Sequence, residues 1–476
     1  MRRTKIVCTM GPSTENEDVL RRMMLSGMNV ARFNFSHANH KWHKKMFDMV
    51  VKVREELNLP IATMLDTKGP EIRVGRFKNG FAEIKTGDSF VLRADTVLGD
   101  ETGVSIVGHD LSRDVKKGNT ILLDDGLVEL YVEKIVGRDI HCTVKNGGAV
   151  KDNKGVNVPN AELTMPYISE RDRADIIFAI ENGFDFIAAS FVRSAADILE
   201  IRRILQEHNC NRIHIIAKIE NRQGVDNIDE IIRAANGVMI ARGDLGVELP
   251  LEEIPVIQKM IIKKAYNAGK QVITATQMLE SMVNHPRPTR AEATDVANAI
   301  YDGTSAVMLS GETAAGKYPV EAVATMARIA EKAESDINYS KRFKEREVDI
   351  ASENITEAIA NAISHATCTT ATDLGAAAII TVTKSGKTAR MISKFRPGSP
   401  IIGCSTYHHI CRQLNLSWGV TPLLLEEKKT SDELFDHAVE VAKKAGLVVE
   451  GEVVAITAGV PVGVPGNTNM IKVTVV

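Results

Sequence analysis

A chain of 476 residues is longer than a single hydrophobic core usually serves, so two or three domains are expected. Hydrophobic residues at 44% and charged residues at 25% are those of an ordinary folded chain, which excludes a disordered or fibrous protein. Lys+Arg 59 against Asp+Glu 61 leaves a net charge of -2, so neither nucleic acid nor a membrane surface is expected as a bulk-charge partner, and any anionic ligand must be met by local residues.

The basic start at Arg2 and Arg3 imitates a signal peptide, but Gly11, Pro12 and the acids Glu15, Glu17 and Asp18 interrupt the apolar run. No run reaches membrane-spanning length, and a cytoplasmic protein is expected. The six cysteines, Cys8, Cys142, Cys210, Cys368, Cys404 and Cys411, contain no CxxC pair and read as separate reduced thiols.

In chain order, short apolar runs at 5–10, 29–36, 60–67, 184–191, 214–220, 237–244, 271–278 and 305–311 read as eight strands, the number a (β/α)8 barrel needs. Helical periods at 18–24, 169–181, 194–207 and 255–266 lie between them, and strand-then-helix repetition predicts a parallel sheet. Between the third and fourth strands, residues 71–165 show no helical period and many turn signals, among them Gly87-Asp88, Gly118-Asn119 and Asp125-Gly126. That stretch predicts an inserted all-β domain, hung as a lid over the face where barrel sites lie. A charged linker is expected at 335–348. Beyond it, a helix at 354–368, strands at 377–383 and 400–404 and a helix at 389–395 predict a small doubly wound α/β domain. The fold expected is therefore α/β: a (β/α)8 TIM barrel (1–69 and 166–340), an inserted β lid (70–165) and a C-terminal doubly wound α/β domain (350–476).

The barrel strands end in polar residues, where a barrel places its chemistry. Period-two alternation puts Arg32, Asn34 and Ser36 on one face, a costly arrangement unless a ligand, an ion or a hydrogen-bonded core plug satisfies them. Lys218 and Glu220 share the face of the fifth strand, either as a structural ion pair or as part of a site; with Asp244 after the sixth, Glu220 makes a sparse oxygen set suited to Mg²⁺. Thr276 and Ser310 end the last two strands, and Arg73 and Arg290 are candidate forks for phosphate or carboxylate. Gly386-Lys387-Thr388 is not a nucleotide P-loop, because Thr381 stands where its first glycine belongs. The turn can still hold phosphate through backbone amides, or serve simply as a strand-to-helix connection.

Taken together, these segments resemble the pyruvate kinase family over essentially the whole chain: Lys5 to Pro12, Asn29 to His37, Leu65 to Arg73, Ile216 to Asn221, Met239 to Gly246, Thr274 to Met278, Pro286 to Glu292 and Met308 to Thr313. The resemblance implies phosphoryl transfer from phosphoenolpyruvate to ADP, giving ATP and pyruvate, with Mg²⁺ and K⁺ as cofactors. It assigns Mg²⁺ to Glu220 and Asp244, and charge neutralisation to Lys218. The phosphoryl grip falls to Arg32 and Arg73, and the carboxylate to Gly243, Asp244 and Thr276. Proton delivery goes to Thr276 and Ser310. Asn34, Ser36, Asp66 and Thr67 match the family's K⁺ site, with nucleotide contacts at His37 and Arg73. Glu71 stands where a glutamate accompanies K⁺ dependence and a lysine independence. Thr383, Ser385, Gly386, Lys387 and Thr388 match the sugar-phosphate loop. The segment 458–466 has no arginine for a second phosphate, so a monophosphate such as AMP, ribose 5-phosphate or glucose 6-phosphate is the effector expected. A homotetramer is implied, with Arg290 near an interface, and a bacterial-type chain without the additional C-terminal phosphohistidine-like domain.

Two other readings compete. A Mg²⁺ enolate lyase or aldolase would need the metal and carboxylate sites but no nucleotide or K⁺ site. A non-catalytic sensor of sugar phosphate or AMP would not need Lys218, Glu220, Asp244, Arg32 and Arg73 all intact.

Overall fold

The computed structural model describes residues 2–159, 161–345, 354–461 and 467–476. Eight parallel strands, Lys5–Thr9, Val30–Asn34, Ala62–Asp66, Phe186–Ala189, His214–Ile219, Gly237–Ala241, Gln271–Ala275 and Ala306–Leu309, close into a barrel with each strand beside its sequence neighbour. They form because short apolar runs, buried on both faces, suit a parallel barrel better than any exposed sheet. One set of their side chains fills the lumen, among them Val7, Val30, Met64, Phe186, Ile216, Met239, Ile273 and Met308. The other set packs outward against the helices, as do Ile187, Ile215, Ile240 and Leu309.

Helix starts follow local chemistry. Ser169 caps Glu170–Asn182 in a capping box with Asp172, and Thr289 caps Arg290–Asp302 in one with Glu292. Both helices end on a left-handed glycine, Gly183 and Gly303, at φ 74° and 96°.

The inserted segment forms a second closed barrel. Its strands run Asp139–Asn146, Ser89–Arg93, Gly103–Val107, Ile72–Val74, Gly155–Asn157, Thr120–Leu123 and Val128–Val136 in spatial order, with a side ribbon of Gly148–Lys151 and Phe81–Ile84. It has its own apolar core around Phe90, Leu92, Val104, Ile121 and Leu130.

The linker expected at 335–348 is instead helical as far as it is described. Pro319–Asp336 runs to its start and Tyr339–Glu345 follows, its Phe343 buried against the last domain; the remainder lies outside the described residues. That last domain is a five-stranded sheet in the order Val420–Leu424, Ile401–Ser405, Ala378–Val382, Val453–Ala458, Met470–Val475, with only the final strand antiparallel. Ser431–Lys444 covers one face, and Ile355–Asp373 and Lys387–Lys394 the other. The strand order reverses between Ala378–Val382 and Val453–Ala458, the place where such a sheet opens a ligand crevice.

This domain closes the bottom of the TIM barrel. Leu416 enters the lumen cluster, Lys5 Nζ donates to the Val420 carbonyl, and Gln271 Nε2 donates to the Gln413 carbonyl. Arg412 Nε bonds both oxygens of Asp185, which is 2% exposed, at 2.8 and 3.0 Å. Arg412→Ala should therefore cost about 1–3 kcal/mol, because it leaves the buried Asp185 carboxylate with Thr63 and with Arg54 at 3.9 Å but without its two shortest charged hydrogen bonds. Denaturant unfolding of the variant checks this, and a loss below about 1 kcal/mol would show that Thr63 and Arg54 satisfy Asp185 without Arg412.

Candidate active site

Each catalytic candidate sits where a barrel strand stops. Arg32 is buried on the second strand; its Nε donates to Asp66 Oδ2 at 2.6 Å and its guanidinium also reaches Thr9 Oγ1 at 2.9 Å. Asp66 ends the third strand beside Asn34 on the second. Lys218 Nζ lies 2.7 Å from Ser190 Oγ, 3.1 Å from Asp66 Oδ1 and 2.9 Å from Glu220 Oε1. Ser190 donates in turn to the Thr67 carbonyl at 2.7 Å, joining the third, fourth and fifth strands in one network.

Burial alone would raise the Asp66 pKa, but Arg32 and Lys218 hold its carboxyl below the usual value. Burial would likewise strip Lys218 of its proton, and Asp66 and Glu220 reverse that, holding the ammonium charged above its ordinary range. Glu220 is pushed up, by burial first and by Asp244, with Lys218 opposing. Besides burial, the site carries more negative than positive charge: Asp66, Glu220 and Asp244 share Arg32 and Lys218. Among the described residues no cluster of three or more His, Cys, Asp or Glu makes a metal cage. Two carboxylates with surplus negative charge are instead what a Mg²⁺ that keeps waters and substrate oxygens requires. Phe191, at φ 53°, directs its amide at the Glu220 carboxylate and fixes that side chain.

The seventh strand ends in a strained turn. Thr276 and Gln277 both adopt left-handed backbone, at φ 69° and 52°, which costs non-glycine residues about 1–3 kcal/mol each. Arg242 holds the turn: it pairs bidentately with Asp295 at 2.7 Å and donates to the Thr276 carbonyl at 2.8 Å. The Thr276 hydroxyl accepts from the Gly243 amide at 2.7 Å, bringing together the two residues expected to hold a carboxylate. Ser310 follows the last strand; its hydroxyl is enclosed without a hydrogen-bond partner, while its amide donates to the buried Glu312. A hydroxyl so placed is available for a proton or a ligand.

Three placements differ from the sequence expectation. The second strand stops at Asn34, whose side chain accepts from the Ser36 amide, so Ser36 stands in a turn and not on the Arg32 face; His37 is exposed in the same turn. Asp244 lies in the helix Arg242–Glu248, not at a strand end. Arg73 stays apart from the Lys218 cluster and bonds Glu71 Oε2 and the Asn153 carbonyl, with Lys68 on the other side of Glu71. Arg73, Glu71 and Asp244 line a cavity of about 410 Å³ between lid and barrel. Sequence reading missed Ser190, Thr9 and the Arg242–Asp295 clamp. The rule that polar residues at strand ends carry chemistry would have found Ser190.

In the C-terminal domain Thr383, Ser385 and Thr388 line a cavity of about 510 Å³ at the strand-order reversal, with Thr430 and Ser431 opposite. Gly386, at φ 74°, caps Lys387–Lys394. Of the segment 458–466, residues 462–466 lie outside the described residues.

A barrel that gathers a charged lysine, an arginine and three carboxylates at and just past its strand ends, below a β lid, has the charged groups of an enzyme acting on a small anionic substrate. The comparisons with known proteins are more specific. Residues 1–323 match the family description "Pyruvate kinase, barrel domain", and residues 361–474 match "Pyruvate kinase, alpha/beta domain". The pyruvate kinase of Clostridium acetobutylicum is 50% identical over 477 residues, covering all of both chains. That of Geobacillus stearothermophilus is 51% identical over 481 residues, covering all of this chain and 80% of the relative. The crystal structure of a pyruvate kinase from Cryptosporidium parvum matches with a TM-score of 0.92 at 38% identity, covering 100% of this chain and 96% of that one. The chain belongs to the pyruvate kinase family, and it is an enzyme with pyruvate kinase activity, the glycolytic transfer of a phosphoryl group from phosphoenolpyruvate to ADP. No helix among the described residues is long and apolar enough to cross a membrane.

Proposed function

We propose that the strand-end cluster performs this reaction with Mg²⁺ at Glu220 and Asp244 and K⁺ at Asn34, Ser36, Asp66 and Thr67. The observation that carries the reading is the Lys218 ammonium, kept charged between Asp66, Ser190 and Glu220. Phosphoryl transfer offers a protein little covalent chemistry, so catalysis here is positioning and charge stabilisation. Arg32, pre-set by Asp66 and Thr9, grips the phosphoryl group from below; Arg73 leaves Glu71 to grip it from the lid side. Lys218 neutralises charge on the phosphoryl group in flight and on the enolate it leaves. The amides of Gly243 and Asp244, with Thr276, bind the substrate carboxylate. Thr276 Oγ1 and the unpartnered Ser310 Oγ deliver the proton that turns enolate into pyruvate. Bound Mg²⁺ supplies Lewis-acid stabilisation of substrate oxygens. His37 and Arg73 face the nucleotide.

The K⁺ donors are all oxygens, and position 71 brings a carboxylate, not a cation that could take the ion's place; Lys68 and Arg73 are both paired to that carboxylate. The enzyme should lose most of its turnover when K⁺ is replaced by tetramethylammonium, and Glu71→Lys should restore turnover without K⁺. A wild-type rate indifferent to K⁺ would overturn this assignment. The loop Thr383, Ser385, Gly386, Lys387 and Thr388 is proposed to bind a monophosphate effector, AMP or a sugar phosphate, in a cytoplasmic homotetramer.

A further inference from the structure

Behind the effector loop, on its barrel side, a second basin of about 620 Å³ opens where the last domain meets the barrel bottom. From the barrel it is lined by His208, Arg212 and His214, and from the last domain by Lys384 and His409. No carboxylate lines it, and none of these five side chains belongs to an ion pair among the described residues. Two further polar atoms are enclosed here without a hydrogen-bond partner, His214 Nδ1 on the basin wall and Arg390 Nη1 under the loop at Gly386.

The field in this region is positive beyond the lining itself. Burial and then Arg390, Arg202, Lys270 and His409 push the His214 imidazole well below its ordinary pKa. Lys270 is held down to about 8 by burial and by Arg202, Arg390 and Lys387, with only Glu357 opposing. Burial first, then Arg412 and Arg212, lower His409 as well, so its imidazole serves as a hydrogen-bonding group beside the charges of Arg212 and Lys384; Asp185, which opposes them, is already committed to Arg412. Cations crowded without counter-charge raise the folding cost of the site and concentrate anions in it.

We propose that this basin is a second anion site, distinct from the effector cavity, for a small phosphate-bearing anion held jointly by Arg212, His409 and Lys384. Because Lys384 lines both this basin and the effector cavity, an anion here bears on the loop from its far side. The same contacts tie the barrel bottom to the last domain. Asn211, and Gln413 through the Oε1 left without a partner while its Nε2 donates to the Asp185 and Arg212 carbonyls, supply hydrogen bonding for the hydroxyls of a phosphorylated ligand.

Equilibrium dialysis of the full-length enzyme with radiolabelled pyrophosphate, in EDTA to remove divalent metal, tests the site by stoichiometry. The Arg212→Ala, His409→Ala double variant should bind one equivalent per chain less than wild type, while turnover of phosphoenolpyruvate and ADP without pyrophosphate stays unchanged. Arg212→Glu, which keeps His409, should lose the same equivalent, so that a folding defect in one variant does not decide the matter. Thr388→Val alters only the effector cavity and should leave this equivalent in place, separating failure here from failure of the effector assignment. Equal stoichiometry in wild type, the double variant and Arg212→Glu would overturn the proposal.

Discussion

Lys218→Met is expected to lower phosphoryl transfer from phosphoenolpyruvate to ADP by about 10³-fold or more, the scale of losing a preorganised charge at a transition state. Methionine preserves the length of the stem but leaves Asp66, Glu220 and Asp244 opposed by Arg32 alone. Enolisation of pyruvate, followed as exchange of its methyl hydrogens with solvent, should fall much less, because proton delivery is assigned to Thr276 and Ser310. Removing one member of a buried pair also costs about 3–5 kcal/mol of stability, so the variant must be shown folded by its unfolding transition before its rates are read. Equal loss of both activities in folded protein would overturn the division of labour between charge stabilisation and proton delivery.

Glu220→Gln should have an effect of similar size through a different route. Its two oxygens have separate tasks in the free protein, Oε1 toward Lys218 and Oε2 toward the Phe191 amide, and the amide side chain keeps the shape while halving the carboxylate count of the proposed metal site. Mg²⁺ affinity, measured by calorimetry with phosphoenolpyruvate present and nucleotide absent, should drop by about 100-fold or more, since even outer-shell changes at metal sites cost about 10–100-fold. Turnover should fall with it and recover in part at high Mg²⁺. Unchanged Mg²⁺ affinity would remove Glu220 from the metal site and leave it a structural partner of Lys218.

The architecture was readable because its signals are local. Eight apolar runs, each too short for a helix and buried on both faces, announce a parallel barrel, and the serines at 169 and 194 lie where their helices begin. Side-chain direction at the strand ends was not readable by alternation, because the strands stop early: Asn34 turns the chain before Ser36, and Thr276 and Gln277 take left-handed backbone that period two cannot foresee. The cluster that gathers around Lys218 joins Asp66, Ser190 and Glu220 across 152, 28 and 2 residues of sequence, so only the fold brings it together. The same holds for the barrel bottom. Leu416 reads as an ordinary loop residue until the last domain inserts it into the lumen. Helix Tyr339–Glu345 reads as linker in the sequence because its charged face is exposed and its anchors, Tyr339 against Trp418 and Phe343 in the last domain's core, meet residues far along the chain.

The most direct test of the account is production of pyruvate and ATP from phosphoenolpyruvate and ADP, assayed with Mg²⁺ and K⁺ together and with each withdrawn. Turnover that requires both ions is the result predicted by a site in which Glu220 and Asp244 take Mg²⁺ and the Asp66 loop takes K⁺. Full turnover after withdrawal of either ion, from folded protein, would contradict it.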